Sequence, residues 1–428
     1  MNHLKTLPTL IGILLTLPSS LWAESPLSWA DCVKEASSHN YDLLAAEQSL
    51  KAADDSKIAS LGQFLPQINF GASLGRNGGD NSIEGALRDP LYGQNSGLSL
   101  SASENIFSGL RDIASVDSSN AQLDLARAQL TQAKAQLSHD LKVAFYTLLY
   151  SQKQIDLFQT IADRNKANED LVEMNFKGGT DNKGSLLQAQ ASYQESVFEV
   201  DQSKRALAIA QRQLSQLLGR AKLDPVEVAG DFDVPDLPSD NPDYMKLTLS
   251  TPAHLQSLAQ LHLSESQYVS ARGSFFPTLS ANASLSRGGE NFDTLYNSGW
   301  SAGLSLSFPL FTGGRDFFDL KSAEESKYGA EDNLKSTDLK TAAALESAYT
   351  AFQNGVQNTK VQEAFLQAAQ TREEIGKAEY LNGLLIFQNW DDLETNLTNQ
   401  QKTELSSFLN AKSSEANWEL TEGKGVIP

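Results

Sequence analysis

The sequence predicts a mixed fold, in which membrane β-strands are joined to a long α-helical coiled-coil barrel in two tandem repeats with four strands per chain. Three observations predict it. The chain repeats itself: Phe64-Leu65-Pro66-Gln67-Ile68 is echoed by Phe275-Phe276-Pro277-Thr278-Leu279, and Gly97-Leu98-Ser99-Leu100-Ser101 by Gly303-Leu304-Ser305-Leu306-Ser307. Within each copy the hydrophobic period changes from helical to alternating and back. After the second alternating segment of the first copy, residues 110 to 176 contain no Pro, and from Arg111 onward no Gly, which allows an unbroken helix of ~100 Å at 1.5 Å per residue.

The first element, residues 1–23, reads as a secretory signal peptide. It has Lys5 near its start, a short apolar run from Leu7 to Leu17, and Ala23 before the acidic Glu24. Leu21 at the −3 position is less usual than Ala. The run is too short to span a bilayer, and no other stretch reaches the ~18–20 apolar residues of a transmembrane helix. An exported chain that crosses a membrane must then do so with β-strands. Cys32 follows Asp31 rather than the small residue an acylation site needs, so it is expected as a small helix residue.

The first repeat, 24–219, opens with a helical segment over 27–62, where Leu27, Ala30, Val33, Ala36, Leu43, Ala46 and Leu50 keep a spacing of three or four. At Pro66 the period becomes two. Strands are expected over 67–77 and 97–107, with Ile68, Phe70, Ala72, Leu74, Leu98, Leu100 and Ala102 on one face and Ser, Asn and Gly on the other. A polar stretch from Gly75 to Gln94 joins them. Alternation alone also fits a half-buried strand of a soluble sheet. Strand length, an uncharged polar face suited to a wet lumen, and the export signal favour membrane strands. The long helix then turns at Lys177-Gly178-Gly179-Thr180-Asp181, with the tip near 177–185. Leu123, Leu130, Leu137 and Ala144 before the turn, and Leu186, Tyr193, Val200, Leu207 and Leu214 after it, recur every seven residues, paired with Ala126, Ala133, Val197 and Leu218. Such heptads pack as a coiled coil.

Residues 220–250 hold Pro225, Pro235, Pro238 and Pro242 with many Asp, and read as a non-helical connector belted around the helices at mid-height. The second repeat, 251–421, has a helix, strands at 277–287 and 299–310, and a hairpin whose tip lies near 381–389; a tail, 422–428, follows. Phe107 and Phe311 stand as far apart as Gly179 and Gly383, so the long segment has the same length in both copies. Four strands cannot close a barrel, and open edges do not survive in lipid. Oligomerisation therefore follows from the sequence; three chains would supply twelve strands, but the number is not fixed by this reasoning.

Charge and motifs narrow the function. The balance of 34 Lys+Arg against 53 Asp+Glu, a net charge of −19, speaks against nucleic acid and anionic lipid surfaces as partners. One Cys and five scattered His offer no metal site, and no cofactor is expected. No GxSxG, P-loop or dinucleotide fingerprint is present, so an enzyme is not expected. An exported coiled-coil structural or adhesion protein remains an alternative reading, as does a periplasmic adaptor, although no Gly/Val-rich β-domain flanks the hairpins.

Several motifs together carry a resemblance. Leu27-Ser28-Trp29-Ala30 with Ala36 and Asn40-Tyr41-Asp42-Leu43, the helix-to-strand junctions Phe64-Leu65-Pro66 and Phe275-Phe276-Pro277, and the strand-to-helix exit Phe308-Pro309-Leu310-Phe311-Thr312-Gly313-Gly314 resemble the TolC-like outer-membrane channel family over essentially the whole mature chain. The resemblance implies a homotrimer with a twelve-stranded barrel in outer-membrane lipid and a helical tunnel in the periplasm. It also implies a duct that passively receives substrates from an inner-membrane pump of RND or ABC type, through a periplasmic adaptor.

By the same resemblance, the adaptor would meet the tips at Gly179 with Thr180 and Gly383 with Leu384. Acids nine and twelve residues past the tip Tyr narrow the pore in that family. Counting from Tyr380 gives Asn389 and Asp392, with Asp391 adjacent, so one acid of the pair is kept. The positions that latch the tip by a basic–acidic pair in the best-known members correspond to Leu385 and Ser185. A different latch is expected here, an apolar gate built on Leu384-Leu385-Ile386-Phe387 beside Tyr380.

Overall fold

A computed structural model describes residues 26–79, 91–222, 225–234, 237, 241–290, 292 and 295–427. The signal segment and most of the polar loop between the first two strands lie outside these residues. The described residues form one four-stranded antiparallel sheet and two long helical hairpins. Strand β1 (Gln67–Gly79) pairs with β2 (Leu91–Phe107), β2 with β3 (Thr278–Gly289), and β3 with β4 (Asn297–Ser307). The sheet order follows the sequence, and β1 and β4 are its two edges.

The strands run to slightly different limits from those the alternation suggested. The last one ends at Ser307 instead of reaching 310, because Pro309 has no N–H to give to a ladder. The register sorts the side chains as the alternation implies. Phe70, Leu100, Leu285 and Trp300 form one cross-strand row, and Asn69, Ser101, Ser284 and Ser301 form the next row on the opposite face. On that polar face the Ser284 and Ser301 hydroxyls lie 2.9 Å apart. The apolar face is bare in the single chain: Trp300 is 79% exposed and Leu304 71%. Three charged residues share its parity, Arg76 and Arg287 toward the loop end and Glu104 near the helix end.

The segment expected as one helix over 27–62 is two helices, α1 (Trp29–His39) and α2 (Tyr41–Leu61). Asn40 causes the break. Its backbone is extended, its Oδ1 accepts from Asp42 N and Leu43 N at 3.0 Å each, and its Nδ2 donates to Leu217 O at 3.0 Å. That side chain caps α2 and pins it to the returning hairpin limb. The first hairpin is α3 (Arg111–Gly178, 68 residues) and α4 (Lys183–Leu217, 35 residues). The connector is not wholly non-helical, since it contains the short α5 (Tyr244–Thr248), capped by Asp243. The second repeat has α6 (Pro252–Gly273), α7 (Arg315–Leu381, 67 residues) and α8 (Phe387–Glu422, 36 residues).

The long helices pack against different partners along their length. Next to the sheet α3 lies against α2 and α6; toward the tip it lies against α4 and α8. The sharp strand-to-helix exits repeat as geometry: Gly109 and Gly313 both adopt left-handed backbone, with φ of 71° and 70°. A Cβ on Gly109 would lie 2.4 Å from Gly273 O, so both the angle and the space require Gly there.

The largest core sits at mid-height, where Cys32 and Ala36 of α1 meet Leu141, Phe145 and Leu148 of α3, Leu214 of α4 and Ile427 of the tail. Cys32 is fully buried, and burial pushes its thiol up to about 12. Described parts of the connector pack at this level. Val226 and Val228 enter the core, and Leu27 N donates to Glu227 O at 2.8 Å while Ala229 N donates to Leu27 O at 3.0 Å. Farther along, Val234, Leu237 and Tyr244 cover Tyr349, Phe352 and Val356 of α7. Of the heptad residues, Leu123, Leu137, Ala144, Val200 and Leu214 are buried, whereas Val197 is turned out and 41% exposed. No described helix is long and apolar enough to cross a membrane.

Candidate functional site

The two hairpin turns come together at the end of the molecule farthest from the sheet. They line one cleft of about 1010 Å³ that takes residues from both repeats, among them Gly179, Thr180, Asp181, Ser185, Tyr380, Gly383, Leu385 and Phe387. Gly179 caps α3 with φ 78°, and Gly383 follows α7 with φ 72°. A Cβ on either would meet nothing within 4 Å, so the requirement at both is backbone conformation, and the surface above them is open. Thr180 closes the first turn by donating its hydroxyl to Asn175 O at 3.0 Å. Leu384, at the apex of the second turn, is 79% exposed and lies outside the cleft.

The apolar run Leu384-Leu385-Ile386-Phe387 divides by direction. Leu384 and Ile386 point outward. Leu385 and Phe387 turn inward onto a core of Val172, Ala189, Tyr380 and Trp390, which joins helices of both hairpins. The aromatic stack is close: Tyr380 lies over Trp390 at 4.6 Å between centroids with 15° between the planes, and Phe387 meets both rings edge-on. Such contacts add to the gain from area alone.

Polar contacts then tie the hairpins across this core. Tyr380 Oη, on the second hairpin, donates to Asp181 Oδ2 on the first and accepts from Asn175 Nδ2 at 3.0 Å. Burial, reinforced by the Asp181 carboxylate, pushes the Tyr380 phenol up to about 12, so it stays a donor throughout the physiological range. The sequence places Tyr380 at the gate but gives it no partner. Asp181 and Asn175 lie some two hundred residues away in the chain, and only the fold brings them within reach. Ser185 N donates to Asn182 Oδ1 at 3.1 Å, which caps α4.

The three acids and amides expected at the pore are arranged unequally. Asn389 and Asp392 are exposed, and Gln388 Nε2 lies 3.4 Å from Asp392 Oδ1. Asp391 is half-buried; burial first, then the neighbouring Asp392, push its carboxyl upward, with Gln188 of α4 acting against them. One turn farther from the tip, Trp390 Nε1 donates to Glu373 Oε1 at 3.4 Å and Asn168 Nδ2 to Glu394 Oε1 at 2.9 Å. These groups too had no signal in the sequence beyond their helical spacing. Among the described residues no group of three His, Cys, Asp or Glu could hold a metal ion.

The chain matches a family profile described as outer membrane efflux protein over residues 32–220 and 246–417. It is 22% identical over 407 residues to the probable outer membrane lipoprotein SilC of Salmonella typhimurium, covering 92% of this chain and 85% of that protein. Two solved structures share the fold. CusC superposes with a TM-score of 0.82 at 18% identity, covering 98% of this chain and 99% of that one. The CmeC outer membrane channel of Campylobacter jejuni also gives 0.82 at 18% identity, covering 92% and 85%.

Proposed function

The chain belongs to the outer membrane efflux protein family, and from that premise we propose that it is the exit duct of a tripartite efflux or type I secretion system. As a member of that family it is an outer-membrane channel protein with a large helical periplasmic part, and not an enzyme. The observation that carries the finer reading is the pairing of two features at opposite ends of one chain. A sheet with an apolar face and two open edges lies at one end, and a cleft shared by two hairpin turns lies ~100 Å away at the other.

A sheet with open edges is not stable in lipid, so the chain closes its barrel with other copies. Three copies give twelve strands, with β4 of one chain beside β1 of the next. The uncharged Ser/Asn/Gly face then lines a water-filled passage. At the tip, Gly179 with Thr180 and Gly383 with Leu384 form the landing for a periplasmic adaptor that connects an inner-membrane pump of RND or ABC type. Asn389 and Asp392, with Asp391 beside them, border the aperture, and a ring of Asp392 carboxylates favours cations there. The gate is the inward pair Leu385 and Phe387 with Tyr380. No bond is made or broken by the duct, so no catalytic residue or cofactor is assigned.

Light scattering of the detergent-purified chain gives its mass directly, and three copies are expected. Cysteines placed at Thr180 and Leu384 should cross-link to the co-expressed adaptor, whereas a cysteine at the exposed Ile58 of α2, close to the sheet, should not. A monomer in detergent, or cross-linking that ignores position, would remove the reading.

A further inference from the structure

Toward the loop end, the apolar face of the sheet carries two guanidinium groups. Arg287 stands on β3 between Leu98 of β2 and Ser298 of β4, and Arg76 stands on β1 opposite Gln94. Both are exposed. Arg287 closes one end of a shallow groove of about 410 Å³ walled by Phe70, Leu98, Leu100, Leu285 and Trp300. The groove draws on all four strands, so it lies within one chain's share of the sheet and is not covered when edges β1 and β4 meet other copies. Among the described residues no carboxylate is paired with Arg287. Glu104 is the acid of this face, and its row meets β3 at Ala281, six residues or ~20 Å from Arg287 at 3.3 Å per residue. Glu290 lies past the end of β3. The net charge of −19 is therefore no guide to this spot, where the charge on the apolar side is positive.

A guanidinium among hydrocarbon chains is costly, so an arginine on a lipid-exposed surface extends its stem to set the charge among headgroups. The helical part is periplasmic, so the loop end of the sheet lies at the outer leaflet. Arginine suits phosphate there, because its fork of N–H donors matches two oxygens at once. Groove and charge follow the order in which a phosphorylated lipid presents its parts, acyl chain first and phosphate at the loop end.

We propose that Arg287 and the groove from Phe70 to Trp300 bind one phosphorylated lipid of the outer leaflet, with the phosphate on Arg287 and an acyl chain along the groove. Arg76 adds to the charge that attracts the headgroup. The site rests on the sheet crossing the outer membrane, and not on what the duct carries or which pump feeds it.

Brominated acyl chains quench a nearby indole, and among the described residues Trp300 is the one tryptophan of the sheet; Trp29, Trp390 and Trp418 belong to helices. The full-length oligomer is reconstituted in phosphatidylcholine vesicles holding a minor fraction of dibrominated phosphatidic acid. A second set holds dibrominated diacylglycerol, the same chains without phosphate. Trp300→Phe gives the background from the helical tryptophans. Quenching should show a preference of about fivefold for the phosphorylated lipid, the scale of one arginine at an anionic surface. Arg287→Gln should bring that preference close to one, and Arg287→Lys, which keeps the charge, should retain part of it. If neither variant assembles, the preference of the parent decides. Equal quenching by the two lipids in the parent, or an unchanged preference in Arg287→Gln, would overturn the site and leave the membrane sheet in place. Inorganic phosphate should displace no more lipid than chloride of equal ionic strength; greater displacement would assign the arginine to the free ion and overturn the lipid site. If neither lipid quenches Trp300, this face does not meet lipid, and its membrane placement falls together with the site.

Discussion

At the scale of single residues, the tip joins two kinds of tie. One is polar and shallow: the Tyr380 hydroxyl bridges Asp181 and Asn175 on the other hairpin. Tyr380→Phe keeps the ring stacked on Trp390 and removes only the hydroxyl, so a small loss of stability, about 1 kcal/mol, is expected. Conductance should nevertheless rise, because the lost bond is one that must break for the hairpins to part. The other tie is apolar. Phe387→Asp places a carboxylate in a core of Val172, Tyr380 and Trp390 and should open the tip further. Equal conductance in the parent and both variants would show that the gate lies elsewhere. The fourfold apolar run therefore does two jobs by position, with Leu385 and Phe387 as packing and Leu384 and Ile386 as surface.

At the scale of elements, much was legible in the sequence, and for identifiable reasons. The strands announced themselves because their two faces differ in chemistry, Leu, Ala and Phe against Ser, Asn and Gly, and that alternation survives in the register of every pair. The long helices were legible because nothing in them breaks a helix. What the sequence concealed depends on contacts between distant residues. The break at Asn40 is a local cap, but its force comes from the bond to Leu217, which no window of sequence contains. Asn40→Ala removes three hydrogen bonds, two of them at a helix start, and a loss of about 1–2 kcal/mol in thermal unfolding is expected. Val197 misled for a related reason: its heptad place suits a seam, yet a single chain leaves it 41% exposed. The candidate site was legible as positions, Gly179 and Gly383 above all, and illegible as bonds. Asp181, Asn175, Glu373, Glu394 and Asn168 come from three separate stretches of chain, and nothing in their spacing marks them as neighbours.

At the scale of the whole molecule, charge and surface are sorted along the long axis. Nothing charged stands on the apolar face of the sheet between Glu104 near the helix end and Arg287 near the loop end. That face should be intolerant of charge and the opposite one tolerant. Leu304→Asp is expected to lower the amount of assembled protein in outer-membrane fractions severalfold, as a charge in the lipid band costs ~2–4 kcal/mol per chain, less for acids. Ser305→Asp, one residue along and on the other face, should assemble normally. Similar losses for both would mean that the sheet does not separate lipid from water. The near-equality of the two hairpins has a consequence of another kind. Their limbs measure 68 and 35 residues in the first repeat and 67 and 36 in the second. A seam that repeats every seven residues stays in step only if both limbs change together by whole heptads, about 10 Å each. Both repeats must also change alike, or the two turns no longer meet. The molecule is therefore a ruler with coarse graduations: the length of its helical part can change only in discrete steps, each needing four coordinated deletions or insertions.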